Sequence, residues 1–244
     1  MSRSISHAAP GELRIEQRIR IDGDAVGTDV SGPACILADV RLRRGNIAYR
    51  CGQRIVKAPA AFRILIPPFT MVEALLDRAD ATSIAFAFRP TPDLDLPAQP
   101  ILVPTGGHRP IHEAGDVGEW LRDRHPAIEI GRTAAAPSRA GRAKRVIDRE
   151  YARRLRIGDL AARLDVTPAV LSRTFRAAYG LPPVRYRHQV RVVDALMRFA
   201  AGAAPVEVFQ DVGFDDLSRF YKIFRRVACA PPGRYRRGDA TSSK

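Results

Sequence analysis

Between Ile157 and Arg237 the apolar residues recur at helical spacing in two blocks. In the first block Leu160, Ala161 and Leu164 share a face, Asp165-Val166 interrupts the pattern, and Val170, Leu171 and Phe175 resume it. Thr167 precedes the second run as an N-cap, where its hydroxyl can accept from an unpaired backbone N–H. Pro168 then takes the first helical position, which needs no donor. This predicts a short helix, a tight turn and a second helix whose Ala169, Ser172, Arg173 and Arg176 point away from the core. In the second block Val208, Phe209 and Val212 make the first helix, Gly213-Phe214-Asp215 the turn and Asp216 the N-cap. Phe220, Ile223 and Phe224 form the inward face of the last helix, leaving Leu217, Ser218, Tyr221 and Lys222 outside. A short helix, a turn and a second helix with a polar outer face is how a helix is presented to the DNA major groove.

The two blocks are copies of one unit. Gly180-Leu181-Pro182-Pro183-Val184-Arg185-Tyr186 matches Cys229-Ala230-Pro231-Pro232-Gly233-Arg234-Tyr235 at an offset of 49 residues. Between the blocks Tyr186, Val190, Val193 and Met197 mark the core stripe of a long helix over Val184–Ala200.

The first half has a different period. Residues 11–88 read as short apolar or alternating strands: Ala34–Leu42, Asn46–Arg50, Arg54–Lys57, Phe62–Ile66, Thr70–Leu76 and Ser83–Phe88, besides Leu13 to Ile21. Gly23, Gly27, Gly32-Pro33, Gly45, Gly52, Pro59 and Pro67-Pro68 punctuate them, which predicts a small barrel or sandwich. From Arg89 prolines thicken into an extended connector. A helix is expected over Glu113–Arg124, with Trp120 in core or interdomain packing, and the Ala-, Ser- and Pro-rich Thr133–Gly141 reads as a linker. A basic helix over Ala143–Leu155 then opens the second half, with Val146, Ile147 and Tyr151 inward. The expected fold class is thus α+β in two domains. Residues 1–90 form a β-rich regulatory or dimerisation domain, 91–137 a connector, and 138–238 an all-α domain with two helix-turn-helix units joined by a long helix.

Charge sharpens this division. The chain carries a formal +14, and residues 138–244 hold 23 Lys and Arg against 10 Asp and Glu. Nearly all the excess therefore lies in the helical half, as a phosphate-binding domain requires. Arg176, Arg219, Arg225, Arg226 and the N-cap Thr167 are the candidate phosphate contacts. Ala169, Ser172, Arg173, Leu217, Ser218, Tyr221 and Lys222 are the candidate base contacts, with Arg173 able to bond bidentately to guanine. Three scattered cysteines, Cys35, Cys51 and Cys229, argue against a disulfide framework and for a reducing cytoplasm. The chain has no apolar run of about eighteen residues, so no transmembrane helix and no membrane partner is expected. Met1–Pro10 lacks the apolar core of a signal peptide.

The C-terminal residues resemble the DNA-binding domain of the AraC/XylS family of bacterial transcription regulators. The resemblance rests on Leu160-Ala161, Leu171-x-Arg173-x-Phe175, Gly180-x-x-Pro183-x-x-Tyr186, Arg191-x-x-x-Ala195, Gly213-Phe214, Phe220-x-Lys222-x-Phe224-Arg225 and Pro232-x-x-Tyr235-Arg236. Phe209, Asp165 and Cys229 depart from the family, which usually has Ala at the first position and often Gly at the other two. The segment Ile55–Val72 is loosely similar to a cupin-like barrel, which regulators of this family often carry. The resemblance implies double-stranded DNA as partner, with the two recognition helices in successive major grooves. It also implies activation through contact with RNA polymerase as the usual mode, with repression using the same parts; the N-terminal half would bind a small-molecule effector, form a homodimer or only shield the other half.

Catalytic chemistry finds little support. No Gly-x-Ser-x-Gly elbow, phosphate loop or His-Glu-x-x-His occurs. No His lies between His7 and His108, so an imidazole-built metal site in the barrel is not expected, and no cofactor is. His108 and His112 beside Glu113 read as exposed loop residues rather than half a metal site, and Cys51 as a buried thiol rather than a redox sensor. The expected function is sequence-specific, cytoplasmic transcription regulation. A cupin-type enzyme with a DNA-binding tag and a low-specificity nucleoid protein are the competing classes.

Overall fold

The computed structural model describes residues 2–6, 11–52, 54–105, 115–123, 126–131 and 138–235. His108, His112, Glu113, most of the expected linker and Arg236 lie outside them. An antiparallel sheet comes first: β1 Ser2–Ser6, β2 Leu13–Arg20, β3 Asp24–Val30, β4 Cys35–Cys51, β5 Arg54–Lys57, β6 Ala61–Ile66, β7 Met71–Phe88, β8 Ile101–Pro104 and, after helix α1 (Gly115–Arg122), β9 Ile128–Glu129. The remaining elements are helical: α2 Arg139–Glu150, α3 Ile157–Ala162, α4 Pro168–Tyr179, α5 Pro183–Ala200, α6 Pro205–Asp211, α7 Leu217–Ala228 and a 3-10 turn at Pro232–Tyr235.

The sheet is built on one bent ribbon. β4 and β7 pair from Cys35↔Phe88 to Arg50↔Glu73, through two positions where the sequence predicts breaks. The register slips between Leu42 and Arg44 and again between Arg44 and Asn46. At that point Gly45 has φ 81°, and a Cβ on it would lie 2.2 Å from the carbonyl oxygen of Arg78. Only glycine tolerates both conditions, and a bulge bends a strand where a turn would end it. The ribbon therefore serves two half-sheets. On one side of the bend the order is β1-β2-β7-β4-β6-β8-β9, and on the other β3 pairs with β7 and β5 with β4. No ladder joins β1 to β9 among the described residues.

The half-sheets fold over each other. Val40, Phe62, Ile64 and Leu102 from one pack with Ile47, Tyr49, Val56 and Val72 from the other, and the Tyr49 and Phe62 rings meet edge-on at 5.7 Å. The opposite face of the larger half-sheet places Leu37, Leu65, Phe86 and Val103 under Val117 and Trp120 of α1. Trp120 is thus core of the sheet. It also covers the guanidinium of Arg63 at 5.2 Å, and buried Arg63 bonds Asp39 at 2.6 and 3.1 Å.

α2 begins four residues earlier than the sequence predicts. Ser138 caps it by accepting from Gly141 N at 3.0 Å, and Ala140 and Ala143 join Ile147 in the buried face. Ala140, which reads as linker, is small because it packs. Within the helical part, Leu160, Ala161, Leu171, Phe175 and Tyr186 form the core of the first helix pair. Val208, Phe209, Val212, Phe220 and Phe224 form that of the second. Burying each such phenylalanine contributes about 1.5–3 kcal/mol. Phe209, where the related sequences usually have Ala, fits in by packing against Phe220 at 6.5 Å.

The sheet and the helices share these cores. Val30 and Met71 extend the first, and Leu13, Ala34 and Ala87 extend the second. Polar bonds cross as well: Gly11 N donates to Ala200 O at 3.0 Å, Lys144 Nζ to Phe69 O at 2.6 Å, and Arg89 to Asp194.

Candidate nucleic-acid interface

The first helix pair is α3 and α4. Between them Asp165 takes the left-handed conformation at φ 52°, which Asp tolerates better than most residues. Thr167 then caps α4, its hydroxyl accepting from Val170 N at 3.3 Å, with Pro168 at the first position. With Leu171 and Phe175 held in the core, Ala169, Arg173 and Arg176 are exposed along one face and Ser172 is half-buried beside them.

The second pair, α6 and α7, repeats this. Asp216 caps α7 by accepting from Arg219 N at 2.5 Å. Phe220 and Phe224 are fully buried, so the opposite face is forced outward. Leu217, Ser218, Tyr221, Lys222 and Arg225 line one shallow surface groove. Leu217 and Tyr221, which could have packed inside, are 37% and 36% exposed. Arg219 and Arg226, two turns apart, flank this groove on one side of the helix and are exposed.

α5 holds the pairs together. Its buried Arg191 donates from Nε to Tyr151 O at 2.6 Å, from Nη2 to Arg153 O at 3.0 Å and from Nη1 to Gly213 O at 2.5 Å. One side chain thus ties the end of α2 to the turn of the second pair. Desolvation, and repulsion from Arg187, lower the pKa of Arg191 to about 10, with Asp215 opposing.

One group of residues escaped the sequence reading. They are Arg187 and His188 of α5, which feel the charge of Arg219, with Arg226 and Arg191 also acting on His188. Arg187 donates to Leu155 O, and the His188 ring stacks on Phe214 at 5.9 Å. Burial, and then the four surrounding guanidinium groups, push the His188 imidazole down to about 4. The signal available in the sequence was only two basic side chains off the apolar stripe of α5. Nothing there says which element they face.

Among the described residues no cluster of His, Cys, Asp and Glu could hold a metal ion. No described helix is long and apolar enough to cross a membrane.

Comparison with known proteins matches residues 160–238 to a helix-turn-helix domain family. Over 83 residues the chain is 29% identical to the arabinose operon regulatory proteins of Salmonella typhimurium strain LT2 and Escherichia coli strain K12, with 34% of this chain covered. The match spans 30% and 28% of the length of those relatives. Among solved structures, ToxT from Vibrio cholerae superposes with a TM-score of 0.52 at 10% identity, over 92% of this chain and 97% of that one. The sheet followed by helices is therefore a fold the two share. The similarity to the helix-turn-helix domain family thus falls on residues 160–238, the part of the chain that holds both helix pairs.

Proposed function

We propose that the protein is a cytoplasmic, sequence-specific transcription regulator whose helices α4 and α7 read successive major grooves of double-stranded DNA. The observation that carries this reading is the outer face of those two helices. Each is capped, each is held from behind by a buried aromatic pair or triad, and each turns short polar, apolar and basic side chains to solvent. Ala169, Ser172 and Arg173 on α4, and Leu217, Ser218, Tyr221 and Lys222 on α7, are the proposed base contacts, with Leu217 and Tyr221 suited to thymine methyl groups. Thr167, Arg176, Arg219, Arg225 and Arg226 are the proposed phosphate contacts. The basic excess of this half supplies the attraction that brings DNA to them.

The N-terminal sheet is proposed as the regulatory part, by effector binding or by homodimerisation, with RNA polymerase as the further partner when bound to a promoter. The relatives' names, which specify an operon regulator, support transcription regulation as the purpose these parts would serve.

The test is selection of sites from a random DNA library by the full-length chain. The expected result is a motif in two blocks about one helical turn apart. Binding without any enriched sequence would replace this reading with that of a nonspecific nucleoid protein.

A further inference from the structure

Glu73 brings the sheet to the end of the first recognition helix. Met71 and Glu73 stand two residues apart on β7, so they share one face of the strand. Met71 lies in the core of the first helix pair, and Glu73 extends from the same face. Its carboxylate meets Gly180, the left-handed residue that ends α4. A Cβ on Gly180 would fall 2.7 Å from Glu73 Oε1. The other carboxylate oxygen, Oε2, accepts from Arg50 Nε at 2.5 Å. Arg50 stands directly across from Glu73 in the β4–β7 ladder, so the pair is built into the register. A lone carboxylate is disfavoured at this place. The last carbonyls of a helix carry partial negative charge and repel a negative group set against them. The Glu73 side chain is 17% exposed, which leaves Arg50 rather than water to offset that repulsion.

A second connection reaches the same helix from behind. The carbonyl oxygen of Phe69, two residues before β7, accepts from Lys144 Nζ of α2 at 2.6 Å. Lys144 also bonds Asp148 at 2.7 Å, and Asp148 accepts from Tyr186 Oη of α5 at 2.6 Å. The Tyr186 ring lies 5.7 Å from that of Phe175, and Phe175 lies 4.7 Å from Tyr179, the last residue of α4. The start of β7 thus holds α4 both at its end and along its buried face. To the core of the second pair the sheet contributes the apolar Leu13, Ala34 and Ala87.

We propose that Glu73, backed by Arg50, is a positioning residue for sequence reading by α4, and that through it the sheet sets how one block of the DNA site is read. This rests on the DNA-binding reading above and deepens it. Arg173 stands seven residues before Gly180, about 10 Å along the helix. A shift at the Gly180 end therefore tilts Ser172 and Arg173 against the base edges proposed for them. The block read by α7 does not pass through this contact. The charges set the order of the variants. R50Q leaves the carboxylate facing the helix end without its partner. R50Q/E73Q removes that carboxylate and keeps its shape. E73A removes the brace altogether.

The experiment selects DNA sites from a random library with the full-length wild type and these three variants, and R173A marks the block that α4 reads. R50Q and E73A should weaken the wild-type site by about 2- to 30-fold, the range for residues that act through packed neighbours. Both should flatten the base preference of the α4 block and keep that of the α7 block. R50Q/E73Q should recover the α4 preference that R50Q loses, which general loss of stability would not produce. Amide exchange of residues 176–180 supplies a readout without DNA. It should quicken in E73A while α7 stays as in the wild type, and it carries the test if R50Q fails to fold. Equal flattening of both blocks would overturn the proposal, as would a double variant no better than R50Q or unchanged exchange at the end of α4. A wild type that selects no motif would overturn the proposed function and this role with it. A clear motif shared by the wild type, R50Q and E73A would overturn this role alone.

Discussion

Arg89, the residue that follows β7, donates to Asp194 in the middle of α5, so the sheet holds directly onto the helix that spans the two helix pairs. The Asp194 side chain is 1% exposed and also accepts from Tyr151 Oη at 3.1 Å and from Arg198 Nε at 3.4 Å. Replacing Arg89 with Ala removes one of the two guanidinium partners of this buried carboxylate. Stability should fall by about 1.5–3 kcal/mol, the range for a hydrogen bond to a charged group. Urea denaturation of the full chain measures it, and an unchanged midpoint would mean that the bond contributes nothing across this interface.

Cys229 ends α7 in the left-handed conformation at φ 59°, donating its N–H to Arg225 O, whereas the corresponding end of α4 uses Gly180 at φ 75°. A side chain in this region costs about 1–2 kcal/mol, and glycine offsets part of the gain through its freer unfolded state. Cys229→Gly should therefore raise stability, by up to about 1 kcal/mol. A lower melting temperature in the variant would show that the thiol packs usefully where it stands.

Arg173 is exposed on α4 one turn beyond Ala169. Arg173→Ala should weaken binding to the selected site by about 1–3 kcal/mol and relax the preference at one base pair. Because the side chain is in solvent, its folding stability should stay within about 0.5 kcal/mol of the parent. Affinity lost equally for all sequences would instead assign Arg173 to a phosphate.

His188 makes the fold sensitive to acid. Its imidazole is pushed down to about 4 by burial and then by Arg187, Arg191, Arg219 and Arg226, against an ordinary value near 6.5. The unfolded chain therefore binds a proton at a pH where the folded chain does not. Stability is complete above about pH 6.5 and declines as the pH falls toward 4. In His188→Gln the decline across this window should be shallower than in the wild type. Parallel pH–stability curves for the two proteins would show that the ring titrates normally in the fold.

The helical half was legible because its signals are local. Caps at Thr167 and Asp216, and apolar steps such as Leu171 to Phe175 and Phe220 to Phe224, are fixed within a turn or two of chain. The sheet was legible as strands but not as a ribbon. Gly45 reads as a stop, and only its distant neighbour Arg78 turns that stop into a bulge. The α2 start was missed because Ala140 and Gly141 look like linker until the packing of Ala140 and the Ser138 cap are seen. For the same reason Arg187 and His188 were passed over. Their meaning depends on Arg219 and Arg226, some thirty residues later, and on how α5 crosses α7.

Gly32 has φ 52°, and a Cβ on it would fall 2.9 Å from Cβ of Val193 and 3.2 Å from the carbonyl oxygen of Val190. The sheet thus meets α5 at backbone distance, and Leu13, Ala34, Val30 and Met71 complete the seal. The N-terminal sheet is consequently no detachable module. Cutting the chain before α2 would strip the lining from the back of α5 and leave that helix facing water with an apolar flank. A fragment of this kind would tend to pair with itself, and its behaviour on DNA would report on that pairing as much as on recognition.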